Sequence, residues 1–92
     1  MKSRAKITII GTVQGIFFRN FVKDEADKIG LKGFVRNLEG GNIEVVVEGD
    51  DEDIKPFIEK IKEGPKHAII KDVRVEEKNW IGDFQDFRVL RF

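Results

Sequence analysis

The chain has 92 residues, enough for one compact core and too few for two ordinary domains, so a single domain over 1–92 is expected. Its 17 Lys and Arg cancel its 17 Asp and Glu, and a formal net charge of +0 argues against a polyanion such as nucleic acid as partner. Hydrophobic residues at 40% and charged residues at 37% exclude both a disordered chain and a membrane span.

The lack of cysteine removes disulfides, thiolate nucleophiles and Cys-ligated metals, and a single histidine, His67, removes a His-rich metal site. No metal and no cofactor are expected. The N-terminus carries no long apolar run of the secretory kind, so a cytoplasmic protein is expected. Dense charge, no Cys and one Met are also what a heat-adapted, thermostable protein would show.

From Ala5 to Val13 the residues Ile7, Ile9, Ile10 and Val13 predict a strand that ends in the Gly11 to Gly15 region. Phe18, Phe21, Val22, Ala26 and Ile29 recur at three and four residues, which predicts a helix over 18–29. Gly30 follows as its C′ residue. Gly33 to Asn37 reads as a short strand, and Glu39-Gly40-Gly41-Asn42 as the turn of a hairpin. In the second arm Ile43, Val45 and Val47 form an apolar face; Glu44, Val46 and Glu48 form a mixed face expected to be wetter.

Ile54, Phe57, Ile58 and Ile61 predict a second helix behind the acids Asp50 to Asp53. Asp53 as N-cap would keep Pro56 in the first turn, where a missing N–H does no harm. Gly64-Pro65 ends this helix, and Ile70, Val73 and Val75 mark a fourth strand. The run Phe87 to Phe92 reads as a last one. The order βαββαβ with a terminal strand is the split βαβ, ferredoxin-like sandwich of the α+β class: an antiparallel sheet with two helices on one face, plus a short C-terminal strand. Such a fold hosts many functions, so a site must decide.

The stretch Gly11 to Arg19 joins the first strand to the first helix. A glycine-containing turn of that kind leaves backbone N–H groups aimed outward at the positive end of the helix dipole, an anion cradle. It lacks the Gly-Lys-Ser/Thr ending of a Walker loop and the G-x-G-x-x-G of a dinucleotide turn. Arg19, near the helix start, is opposed by the dipole by roughly 0.3–1 kcal/mol. Two readings fit it: a solvent-facing arginine that tolerates the cost, or an oxyanion clamp with a planar fork for phosphate. Asn37 also has two: a residue that tolerates left-handed φ before a turn, or a carboxamide that positions water.

With these residues in view, the chain resembles the acylphosphatase family. Gly11-Thr12-Val13-Gln14-Gly15-Ile16-Phe17-Phe18-Arg19 is similar to that family's G-x-V-Q-G-V-x-F-R pattern, with Ile16 in place of valine. Gly33-Phe34-Val35-Arg36-Asn37, then Gly41, Ile43 and Gly49, follows its second pattern, with Ile43 again replacing valine. The resemblance implies metal-independent hydrolysis of the carboxyl–phosphate bond of small acyl phosphates, without a covalent intermediate. It implies that Arg19 and the backbone N–H groups of Gly15, Ile16, Phe17, Phe18 and Arg19 hold the phosphoryl group and that Asn37 orients water. Inorganic phosphate is then both product and inhibitor, and a monomer is expected.

A carboxylate leaves without protonation because its conjugate acid has a pKa of about 4, so positioning and charge stabilisation suffice. The alternative is a non-catalytic ferredoxin-like module that binds an anionic metabolite or partner. Lys32-Gly33-Phe34 echoes the start of an RNA-binding motif, but Val35 breaks it. The acids Asp50 to Asp53 lack EF-hand spacing, His67 reads as an ordinary loop residue, and Phe57, Phe84 and Phe87 read as core, with Trp80 over a sheet edge.

Overall fold

The computed structural model describes residues 1–12, 15–66 and 68–90. The expectations for Val13, Gln14, His67, and residues 91 and 92 lie outside the described residues. The elements run β1 (Lys2–Thr12), α1 (Gly15–Ile29), β2 (Lys32–Asn37), a 3-10 turn (Glu39–Gly41), β3 (Ile43–Asp50), α2 (Asp51–Glu63), β4 (Ile69–Lys78) and β5 (Phe87–Val89). The strands form one five-stranded sheet in the order β4-β1-β3-β2-β5. This is the α+β ferredoxin-like fold expected from the element order. One feature differs: β5 runs parallel to β2, so the sheet is mixed and not wholly antiparallel.

The period of two along each strand sends Ala5, Ile7 and Ile9 of β1 and Ile43, Val45 and Val47 of β3 to one face, where they pack with Phe18, Val22 and Ala26 of α1 and with Ile54, Phe57 and Ile61 of α2. Each of these side chains is buried. At roughly 1.5–3 kcal/mol per large apolar side chain removed from water, this layer is the main source of stability. Phe87 belongs to it, whereas Phe84 lies half-buried with its ring edge-on to Phe34 at 5.9 Å. Trp80 is half-exposed.

The other face of β3 is not wet. Glu44, Val46 and Glu48 are buried, because β3 is the central strand and the segment after β4 crosses over it. Glu48 accepts hydrogen bonds from the backbone N–H of Ile81 at 2.8 Å and of Gly82 at 3.2 Å, and pairs with Arg4 at 3.5 Å. Glu44 pairs with Arg36 at 2.7 Å and Lys6 at 3.5 Å. Buried carboxylates persist where partners satisfy them, and here cations and amides do so.

Both helices begin earlier than the apolar spacing predicts. α1 starts at Gly15, not Phe18, and α2 starts at Asp51 with Asp50, not Asp53, at the N-cap position and no side-chain capping bond. Pro56 therefore lies inside α2 past its first turn. It removes one intrahelical hydrogen bond, on an exposed side where water can meet the orphaned carbonyl. At the far end of α1, Gly30 and Leu31 both donate to the Ala26 carbonyl at 2.9 Å, the closure expected of a glycine at C′.

Candidate active site

The end of the sheet where β1 meets α1 is shaped by a break in register. β1 and β4 pair regularly up to Ile10↔Asp72, then shift so that Gly11 opposes Ile70. Gly11 has φ 149°, and a Cβ there would come within 2.3 Å of the Ile69 carbonyl oxygen, so the bulge needs glycine. Past the bulge β1 stays paired through Thr12↔Ile69, and α1 begins at Gly15. By their position at the helix start, the amides of Gly15, Ile16 and Phe17 have no intrahelical acceptor, and no acid stands in that first turn. Phe18 and Arg19 follow: Phe18 is buried in the core, and Phe17 is 82% exposed.

Arg19 sits beyond the first turn, three residues further along the helix than the expected start at Phe18 implied, and is half-buried. Its Nη1 donates to the carbonyl of Leu90 at 3.4 Å. Leu90 in turn donates its N–H to the Val35 carbonyl at 2.9 Å, just past the parallel rung Val35↔Val89. Asn37 lies two residues beyond Val35 on β2, so the period of two puts both on the same sheet face. The register carries Asn37 next to Ile43 and Ile43 next to Ile9, one residue before the bulge at Ile10 and Gly11. Two hydrogen bonds and one strand step thus link Arg19 to the strand end that carries Asn37.

Asn37 is inside the strand, paired with Ile43, and so is not there to supply a left-handed φ. Gly40 and Gly41 take the positive φ of the turn, at 82° and 84°, and the turn closes through the Leu38 N–H on the Asn42 carbonyl at 2.7 Å. Asparagine is a poor strand former, so conformation does not explain it. Among the described residues its side chain has no hydrogen-bond or ion-pair partner and is half-buried. Here the amides opening α1, a guanidinium and an unengaged carboxamide share one end of the sheet, and such an arrangement can hold an anion and a water molecule together.

The family model described as Acylphosphatase matches residues 5–89. The chain belongs to the acylphosphatase family. It is similar to the acylphosphatase of Syntrophus aciditrophicus, 38% identical over 90 residues that make up 98% of this chain and 94% of the relative. It is also similar to the acylphosphatase of Pyrobaculum calidifontis, 42% identical over 88 residues, 95% of this chain and 80% of the relative. The crystal structure of acylphosphatase from Bacillus subtilis superposes with a TM-score of 0.91 at 33% identity, covering 99% of this chain and 100% of that one. An acylphosphatase is an enzyme, and acyl phosphate hydrolysis is the activity this membership gives the chain. No described helix is long and apolar enough to cross a membrane, and no cluster of three or more potential metal-ligating side chains occurs among the described residues.

One contact of this acylphosphatase was not legible in the sequence. The Leu90 carbonyl meets Arg19 across 71 residues of chain, and a main-chain oxygen carries no residue-type signal. Only the topology, which lays β5 beside β2, brings it there.

Proposed function

We propose that the phosphoryl group of a small acyl phosphate is held by the Arg19 guanidinium and by the backbone amides that open α1, those of Gly15, Ile16 and Phe17 first, with Phe18 and Arg19 following. Asn37 orients a water molecule for direct in-line attack. The water oxygen bonds to phosphorus, the bond from phosphorus to the acyl oxygen breaks, and the carboxylate leaves with the electron pair. The two water protons end on phosphate and solvent. No general acid is required, because a leaving group whose conjugate acid has a pKa of about 4 departs as the anion. Rate comes from holding water in line and from stabilising charge on the equatorial phosphoryl oxygens.

The observation that supports this reading most is that Arg19 is tied through Leu90 and Val35 to the strand whose end carries Asn37, with Asn37 unengaged. A guanidinium fork binds a phosphoryl group through two parallel bonds, and a carboxamide can accept from water without adding charge.

Benzoyl phosphate turnover in oxygen-18 water, with and without a metal chelator, tests the scheme. The label is expected in phosphate and absent from benzoate, at a rate the chelator leaves unchanged. Inorganic phosphate is expected to inhibit competitively. Label in benzoate would mean attack at the carbonyl carbon, and loss of turnover on chelation would mean that a metal takes part; either outcome overturns the proposal.

A further inference from the structure

Phe17 and Phe18 are adjacent in the sequence and opposite in use. Phe18 lies in the core, 1% exposed, with its ring edge-on to Phe21 at 5.9 Å, whereas Phe17 is 82% exposed. Apart from Met1 at the chain start, Phe17 is the most exposed large apolar side chain among the described residues. A lone exposed aromatic is ordinary on a protein surface, and position sets this one apart. Its own N–H is one of the amides that open α1. The Cα–Cβ bonds of a helix tilt toward its N-terminus, so a helical side chain overlies the turn before its own Cα. For a residue in the first turn, that place is no turn of the helix but the space in front of its start. Phe17 thus sets an uncovered ring beside the amides proposed to hold the phosphoryl group.

We infer that the Phe17 ring is the surface that takes the acyl group of the substrate and gives aromatic acyl phosphates an advantage over acetyl phosphate. The inference rests on the phosphoryl site proposed above. A phosphoryl group seated on the Phe17 amide brings its acyl substituent within reach of the side chain of the same residue, and in-line geometry turns that substituent away from the water at Asn37. A benzoyl group can stack offset on the ring or meet its edge, and in doing so covers apolar surface that water otherwise wets; an acetyl group offers a single methyl. Because the ring is open on its outer side, it forms a platform and not a closed pocket. It rewards apolar area without setting an upper limit on acyl size.

Ile69 provides the comparison within the molecule. It is 62% exposed and opens β4 opposite Thr12, at the same end of the sheet. Its neighbour Ile70 packs against the core, so the period of two turns Ile69 to the face away from the helices. An exposed apolar side chain at this end of the sheet, but on the other face, has no acyl group to meet.

Steady-state kinetics of the full chain with benzoyl phosphate and with acetyl phosphate tests this, read as the ratio of the two kcat/KM values, in which any general change in the phosphoryl site cancels. Phe17→Ala keeps the backbone amide and removes no core packing. It is expected to lower the benzoyl-to-acetyl ratio about ten-fold, through a higher KM for benzoyl phosphate at nearly unchanged kcat, because the ring meets the acyl group alike in the substrate and in the transition state. Phe17→Tyr keeps the ring and is expected to retain most of the ratio. Ile69→Ala is expected to match the wild type. A ratio unchanged in Phe17→Ala, a fall carried by kcat, an equal fall in Ile69→Ala, or a Phe17→Tyr variant as poor as Phe17→Ala would each overturn the inference. Inorganic phosphate has no acyl group, so its inhibition should stay at the wild-type value in Phe17→Ala; its loss there would mean that the ring shapes the cradle and would overturn the inference as well. Failure of the phosphoryl reading shows elsewhere, as phosphate inhibition that Arg19→Ala leaves unchanged.

Discussion

The two helices start in opposite ways. α2 opens with Asp51, Glu52 and Asp53, so its own carboxylates occupy the positive end of its dipole, and its first amide donates to the Met1 carbonyl at 2.9 Å. α1 opens with Gly15, Ile16 and Phe17, none of them acidic, and then carries a cation, Arg19. One chain thus holds a helix start with internal anions and another that lacks them, joined to the same sheet. The difference favours the second, and not the first, as the place for the phosphoryl group in the proposed reading.

The largest expected way to break this contrast is Arg19→Ala. In the proposed reading the charge that Arg19 meets is present in the substrate and in the transition state, so affinity for inorganic phosphate and turnover should fall together. Loss of one such stabilising donor commonly costs on the order of 10²–10³ in rate. Arg19→Lys should recover little, because the planar fork is gone. Steady-state kinetics with phosphate inhibition on each variant checks this, and full activity in Arg19→Ala would remove it as the clamp.

Asn37→Ala should differ in kind. If its side chain holds water, single-turnover hydrolysis slows, by about 10–100-fold for a lost positioning contact, while phosphate affinity stays nearly unchanged. The strand should survive, at a cost of about 1 kcal/mol or less, since Asn37 makes no side-chain bond that the fold needs. Circular dichroism on the same sample establishes that it is folded. Parallel loss of rate and phosphate affinity would move Asn37 into the anion site.

Much of this contrast could be read from the sequence, and what could not has a physical reason. Apolar periodicity located Phe18, Val22 and Ala26 on one buried face and Ile54, Phe57 and Ile61 on another, because burial is what the 3.6-residue period reports. It missed both helix starts. The residues of a first turn need not reach the core: Phe17 is 82% exposed, and Asp51 and Glu52 are exposed as well. The alternation in β3 identified its two faces but not the burial of Glu44 and Glu48, which follows from the central place of β3 and the later crossing of Ile81 and Gly82. Asn37 was legible as the residue that closes the second strand, and the structure ends β2 there, but its strand partner was not. Its pairing with Ile43 is a matter of register that the turn sets.

Phe17→Glu sharpens the contrast by giving α1 the acid it lacks. The side chain is exposed, so no core packing is lost, and a negative charge in the first turn should raise stability by roughly 0.3–1 kcal/mol. The same charge should oppose a bound phosphate, weakening competitive inhibition on the order of ten-fold, about 1.4 kcal/mol. Stability and phosphate affinity are therefore expected to move in opposite directions. Thermal denaturation beside a phosphate inhibition series reads both, and unchanged inhibition would mean that the anion does not sit at this helix start.

The smallest effect is expected from the opposite exchange, in which Asp51, Glu52 and Asp53 are replaced together by Asn, Gln and Asn. These side chains are exposed or half-exposed, and none of them makes a capping bond. Their contribution is the interaction of charge with dipole, roughly 0.3–1 kcal/mol each at low ionic strength and less as salt screens it. The amide of Asp51 keeps its bond to Met1, so α2 should still begin where it does. Turnover should not change, because α2 begins at the opposite end of β3 from Ile43, the strand neighbour of Asn37. Denaturant unfolding at low and high salt is the measurement, and the difference between variant and wild type should shrink as salt rises. A loss that salt leaves untouched would mean that these acids act through specific bonds. The two helix starts would then differ in their contacts and not in the sign of charge they attract.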